Sequence, residues 1–310
     1  MEIRIGISGW LYPPWRKIFY PEDLPQKQEL HYASRQVSSI EINGSFYSSQ
    51  TPASYQKWFS STPQDFVFSV KGPRYITHIR RLKDIDEPLA NFFATGVLYL
   101  QEKLGALLWQ FPPNFLFDEE RLENFFRLLP TTFAEAVALS EASPRYGNPY
   151  PSSFKKFRKK LHHAIEVRHH SFENPAFIEL LRKYNIALVF ADTAGTWPYM
   201  EDLTSDFIYL RLHGPEELYA SGYDDATLRW WADRIKLWTA GKEPKNARTI
   251  SDKAATKRER DAFVYFDNDI KVRAPFDAQR LMKFLGKKVS QKTSVESPQP
   301  LWNSDSDRPL

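Results

Sequence analysis

At 310 residues, 42% apolar and 26% charged, the chain can bury one large core without disulfide or metal staples. It has no cysteine, which excludes disulfides, thiolate metal centres, iron–sulfur clusters and a cysteine nucleophile. A formal charge of +4 is only a weak pull on anionic partners. No apolar run approaches the roughly 20 residues of a membrane span, and Met1 to Ile7 carries no apolar leader. A cytoplasmic protein without membrane contact is therefore expected.

Short β-branched or aromatic runs recur along the chain. They are Ile3 to Ser8, Ser39 to Asn43, Phe66 to Lys71, Ala106 to Gln110, Ala164 to Arg168, Ala187 to Asp192, Phe207 to His213 and Phe263 to Asn268. Stretches with a period near 3.6 lie between them. These predict helices over Ala53 to Ser60, Asp86 to Gln101, Glu119 to Leu129, Pro175 to Tyr184, Asp224 to Thr239 and Pro275 to Leu285. Eight strands separated by helices imply a parallel sheet, and the length suits a single-domain closed (β/α)8 TIM-type barrel over 1–285. An open doubly wound sheet is the rival, weakened because no Gly-x-Gly-x-x-Gly turn follows the first strand. Residues 241–260 read as a basic surface insertion, and 286–310 as a disordered polar tail.

The strand ends carry the chemistry. They read Ser8-Gly9-Trp10, Glu41-Ile42-Asn43, Ser69-Val70-Lys71, Trp109-Gln110, Glu166-Val167-Arg168-His169, Ala191-Asp192, Arg211-Leu212-His213 and Phe266-Asp267-Asn268-Asp269. In a barrel these carboxyl ends share one rim, where active sites of this fold sit. Alternation along a strand puts Glu41 with Asn43, Glu166 with Arg168, and Arg211 with His213 on common faces. The plainer reading is that such pairs are salt bridges closing the barrel, since buried charges are costly unless paired. The adjacent pairs His162-His163 and His169-His170 cannot chelate as units from a strand, and the first is read as surface. Phe92-Phe93, Phe125-Phe126 and the Trp231/Trp238 pair are read as core.

Several of these segments resemble the YecE-like family, the domain of unknown function 72. They are Gly6-Ile-Ser-Gly-Trp-Leu-Tyr-Pro-Pro-Trp15 with Phe19-Tyr-Pro21, Glu41-Ile-Asn-Gly-Ser-Phe-Tyr47, Phe68-Ser-Val-Lys-Gly-Pro73 with Thr77-His78, and Leu104-Gly-Ala-Leu-Leu-Trp-Gln-Phe-Pro-Pro113. Glu166-Val-Arg-His-His-Ser171, Ala191-Asp192 and Tyr209-Leu-Arg-Leu-His-Gly214 complete the resemblance, which runs from about residue 3 to 285. It implies a TIM-type barrel and no established activity. Asp267-Asn268 stands where the family usually has two asparagines, which adds a negative charge to the rim, and the 241–260 insertion is longer than expected.

Two functional classes follow. The first is an enzyme, a hydrolase, isomerase or lyase, acting on a small anionic, phosphorylated or sugar-like molecule at the rim. Its expected acid–base groups are Glu41, Lys71, Glu166, Asp192 and His213. Arg168 and Arg211 would grip the anion through their planar forks. His169, His78, Gln110, Asn43 and Asn268 would add polar contacts, while Trp10, Tyr12 and Tyr47 offer flat walls. No cofactor is expected. A divalent ion on Glu41, Glu166, Asp192 and His213 is disfavoured by the cations on the same rim. No HExxH, GxSxG or P-loop motif is present. The alternative is a nucleic-acid-binding or nucleic-acid-processing protein that uses the basic segments 155–160 and 241–260. The oligomeric state has no signal in the chain.

Overall fold

A computed structural model describes residues 1–288. Its strands are β1 (Ile3–Ser8), β2 (Ser39–Ile42), β3 (Val67–Lys71), β4 (Leu104–Gln110), β5 (His162–Glu166), β6 (Ala187–Asp192), β7 (Phe207–Leu212) and β8 (Asp261–Phe266). They pair in chain order, all parallel, and β1 closes onto β8. The expected closed barrel is the observed one. Of the tail expected to be disordered, residues 289–310 lie outside those described.

Alternation along each strand fills the barrel and leaves its top polar. On β7 the inward positions are Phe207, Tyr209 and Arg211; on β8 they are Phe263 and Tyr265, with Asp267 just beyond the strand end. Towards the amino ends, His162 stacks on Phe207 at 4.7 Å and Phe207 meets Phe263 edge-on. Above them Tyr265 Oη contacts the hydroxyls of Ser39 and Ser69 at 2.7 and 2.8 Å. Small residues such as Ala106, Ala164 and Ala187 fit around these rings. Gly6 is required on β1: a Cβ there would lie 1.8 Å from the Ser39 carbonyl oxygen. With rings filling its lower half, the barrel gathers Glu41, Lys71, Glu166 and Arg211 towards the carboxyl ends.

The outer layer departs from the expected helices in instructive ways. The predicted helix over 86–101 is two pieces, Asp86–Phe93 and a short 3-10 segment Val97–Lys103. Gly96 breaks it at φ +103°, a conformation only glycine adopts without strain, and a Cβ there would sit 2.5 Å from Pro52 Cα. A helix over Phe133–Glu141 escaped the periodicity reading, although Thr132 and Glu135 form a capping box that marks its start. No helix spans 193–206 between β6 and β7. Trp231, Trp238, Phe92, Phe93, Phe125 and Phe126 are buried as expected.

The insertion at 241–260 is pinned rather than loose. Asp202 accepts from the Ile250 and Ser251 amides, and Arg234, in a buried pair with Glu201, donates to Asn246 Oδ1 at 2.9 Å. Arg260 is buried and donates to the carbonyls of Ser205, Thr256 and Arg258. The 155–160 run is broken too. Lys155 pairs with Glu141, Phe157 packs on Phe133, and Lys159 donates to the Glu102 carbonyl. Both segments are thus tied to the body of the barrel at several points, while Lys156, Arg158, Lys160, Lys242, Lys245 and Lys257 stay exposed.

Candidate functional site

Arg211 stands at the centre of the polar mouth, 1% exposed, and its guanidinium is fully engaged. Nε and Nη2 donate to the Glu41 carboxylate at 3.1 and 2.8 Å, Nη1 to Glu166 Oε2 at 2.7 Å, and Nη2 also to Asp267 Oδ2 at 2.8 Å. The acids are satisfied in turn. Glu41 accepts from Ser8 Oγ at 3.0 Å and Tyr209 Oη at 2.6 Å; Glu166 accepts from Gln110 Nε2 at 2.7 Å and Arg168 Nε at 2.9 Å. His213 Nδ1 lies 3.0 Å from Asp267 Oδ2. Such a cluster is tolerable in the interior only because each charge is paired and hydrogen-bonded. Burial alone would raise the Glu166 carboxyl, but Arg211 and Arg168 outweigh it and hold it well below the usual range. The Asp267 carboxyl, opposed by the same burial, is brought down to about 2 by Arg211 and His213.

This corrects one expectation: four of its five N–H groups go to carboxylates and the fifth faces His213 Nε2 at 3.5 Å, so Arg211 has no fork to offer an incoming anion. It also explains why the mouth offers no metal cage. Among the described residues no three His, Asp or Glu are arranged to hold an ion; the three acids converge on the guanidinium instead.

A second group beside this hub is not saturated. Lys71, the last inward residue of β3, is 7% exposed, and its Nζ sits 4.2 Å over the centre of the Phe46 ring. Among the described residues it has neither a hydrogen-bond acceptor nor a carboxylate oxygen within 4.0 Å. Burial first, and Arg211 second, bring its pKa down to about 8. His78 packs edge-on against the same Phe46 ring and uses only Nδ1, 2.8 Å from Thr77 Oγ1. Burial, then Lys71 and Arg168, push it down to about 4, so it is neutral at pH 7. Arg168 lies flat on Trp197, Cζ 3.6 Å from the ring centre, and Nη2 donates to Tyr219 Oη at 3.2 Å. Its Nη1 has no partner among the described residues.

The other expected site residues fall elsewhere. Asp192 follows the inward Ala191, so it points out of the barrel, where it accepts from Tyr223 Oη at 2.9 Å. Asn268 is likewise one position off the inward face and donates to Ser221 O and Asp277 Oδ2. Trp10 is packed between Trp58 and Phe68. His169 caps its own turn through the Ser171 amide. Asn43 is half-buried, with Oδ1 unpartnered, and Tyr47 stands exposed at the rim against Phe46. Tyr12 donates to the Ser8 carbonyl at 2.5 Å. It lies near Asp269, whose carboxyl is pushed well up by burial and by Asp267. The histidines read as surface are not: His163 is buried between Trp109 Nε1 at 3.1 Å and the Pro130 carbonyl at 2.8 Å.

Sequence reasoning put Asp267 on the rim without a role and missed Tyr209, Trp197 and Tyr219. Parity could have found two of them, because Tyr209 precedes Arg211 by two residues and Asp267 follows Tyr265 by two. Trp197 and Tyr219 come from loops and carry no periodic signal. A cavity of about 690 Å3 is lined among others by Ser45, Tyr55, Pro73, Tyr75, Asn91 and Tyr146, and none of the hub acids lines it.

The chain's similarities agree with this architecture. A DUF72 family protein of Thermotoga maritima MSB8 superimposes with a TM-score of 0.70 at 24% identity, covering 93% of this chain and 100% of that one. A DUF72 family protein of Enterococcus faecalis V583 gives 0.67 at 16% identity, covering 94% and 100%. In sequence, the UPF0759 protein YunF of Bacillus subtilis is 33% identical over 118 residues, 36% of this chain and 41% of that protein. The UPF0759 protein YecE of Escherichia coli K12 is 27% identical over 113 residues, 36% and 39%. The alignable part thus spans about two fifths of these relatives' length. The family described as "Protein of unknown function DUF72" matches residues 4–301, and the chain belongs to that family.

Proposed function

We propose that the chain is an enzyme acting by acid–base chemistry on a small anionic or sugar-like molecule at the carboxyl-end mouth of the barrel. The observation that carries this reading is the contrast within one mouth. Arg211 is held by three carboxylates, whereas Lys71 is buried with no carboxylate oxygen within 4.0 Å among the described residues and shares the Phe46 ring with a neutral His78; Arg168, on the same rim, leaves Nη1 unspent. A buried cation without a partner costs free energy, and a binding site is a place where that cost has a use. An anion seated there would pair with Lys71 and take the free N–H of Arg168. At pH 7 the Lys71 amine, near 8, is mostly protonated and is the proton donor, while His78, near 4, is neutral and only a weak acceptor.

Thermal unfolding with inorganic phosphate tests the reading. At phosphate concentrations several times its dissociation constant the midpoint is expected to rise by about 2 °C or more. The rise should disappear in both Lys71→Met and Arg168→Ala. An equal rise in all three proteins, or none in the parent chain, contradicts the proposal.

A further inference from the structure

Resting on this anion-site reading and going beyond it, we infer that Lys71 is a nucleophile that forms an imine with a small carbonyl compound bearing a carboxylate or phosphate. Three features converge on that chemistry. The amine is held at the end of an inward strand on an aromatic face, with no acceptor to lock its lone pair or its protons. Burial and the neighbouring Arg211 lower it, against the opposing pull of Glu166, Glu41 and Asp267, and desolvation beside another cation is a way proteins free a lysine amine. Arg168, stacked on Trp197 and tied to Glu166 and Tyr219, is a rigid anchor for the anionic end of the substrate. It leaves the carbonyl end for Lys71.

The step balances without an external oxidant or reductant. The neutral amine adds to the carbonyl carbon as the carbon–oxygen π pair moves to oxygen. A proton passes from nitrogen to that oxygen, a second proton comes from solvent, and water leaves. Amine, carbonyl and one proton become an iminium ion and water. The iminium then withdraws electrons from the neighbouring carbon, the activation that isomerases and lyases of carbonyl compounds require. Half-buried and neutral, His78 packs on the same Phe46 ring as Lys71 and is a candidate to take the proton released there.

Reductive trapping tests the inference on the full chain. The protein is incubated at pH 7 with pyruvate, and in a parallel arm with glycolaldehyde phosphate, in the presence of cyanoborohydride, and the adducts are mapped by peptide mass spectrometry. At that pH a lysine titrating near 8 carries on the order of a hundredfold more free amine than an ordinary one. Lys71 should therefore be modified at least about tenfold faster than exposed Lys27 and Lys57, and phosphate should protect it. Modification of Lys71 no faster than of those two lysines overturns the imine. If phosphate still raises the unfolding midpoint in a Lys71-dependent way, the anion site survives that failure; if it does not, both readings fall. The Lys71→Arg chain, which keeps the positive charge but cannot form the imine, must lose the fast adduct while remaining folded. Persistence of an equally fast adduct elsewhere at the mouth also overturns the assignment.

Discussion

Lys71 and Lys103 stand at opposite mouths of one barrel, on neighbouring strands, and burial brings both down to about 8. Lys103, just before β4, donates to the Phe59 carbonyl at 2.6 Å, the Thr62 carbonyl at 2.9 Å and Thr62 Oγ1 at 3.2 Å. All three of its protons are spent, and it ties the outer helix Pro52–Ser61 to the sheet. Lys71 has an aromatic ring beneath it and no acceptor. Similar desolvation thus has two meanings. At the amino-end mouth it belongs to a structural fastening; at the carboxyl-end mouth it leaves a group in reserve, which is what a ligand site needs and a fold does not.

The largest expected effect lies at the hub that lets Lys71 remain unpaired. Arg211→Ala would strand Glu41, Glu166 and Asp267 without their shared cation, and a loss of about 3–5 kcal/mol in urea unfolding is expected. Arg211→Lys keeps the charge but not the fork, so it should fall between that variant and the parent. A change below about 1 kcal/mol in Arg211→Ala would mean that the three acids are neutral rather than paired.

Next in size is the direct test of the two lysines. Lys103→Met removes three hydrogen bonds and leaves buried carbonyls unserved, at an expected cost of about 1–3 kcal/mol. Lys71→Met removes an unpaired buried charge and should be neutral or stabilising by about 1 kcal/mol. Equal losses in the two variants would erase the distinction.

The pH dependence sharpens it further. A lysine whose folded value lies near 8 binds fewer protons than the unfolded chain between pH 8 and its ordinary value. Stability therefore rises with pH across that window, at up to about 1.4 kcal/mol per pH unit per lysine. Above about pH 10 the buried tyrosines, whose values are raised, reverse the trend. Lys71→Met should remove one lysine's share of the slope between pH 8 and 10. At the acid end the sign is opposite: Asp267 and Glu166 are depressed, so the stability they contribute is present above pH 4 and is lost as pH falls towards 2. Smallest of all, Lys155→Ala breaks an exposed pair with Glu141 and should change stability by less than about 0.5 kcal/mol.

Much of the barrel is legible because hydrophobic runs and their polar ends mark strands directly. The errors have physical origins. The helix expected over 86–101 is periodic throughout, yet Gly96 approaches Pro52 too closely for any side chain, a tertiary fact invisible to periodicity. Asp192 and Asn268 are polar strand-end residues, yet the two-residue alternation through Ala191 and Tyr265 puts them outside and Asp267 inside. Glu41, Glu166, Arg168 and Arg211 were found together because strand parity governs them. Which of those cations would be free was not legible, since saturation of Arg211 depends on carboxylates from β2, β5 and the end of β8 meeting at one point.

The most direct measurement is the titration of Lys71 itself, followed by the 13Cε resonance that vanishes in Lys71→Arg, with and without phosphate. A midpoint near 8 is expected in the free protein, moving upward when phosphate binds, because an anion favours the charged amine. A midpoint near 10.5 that phosphate leaves unmoved would contradict it.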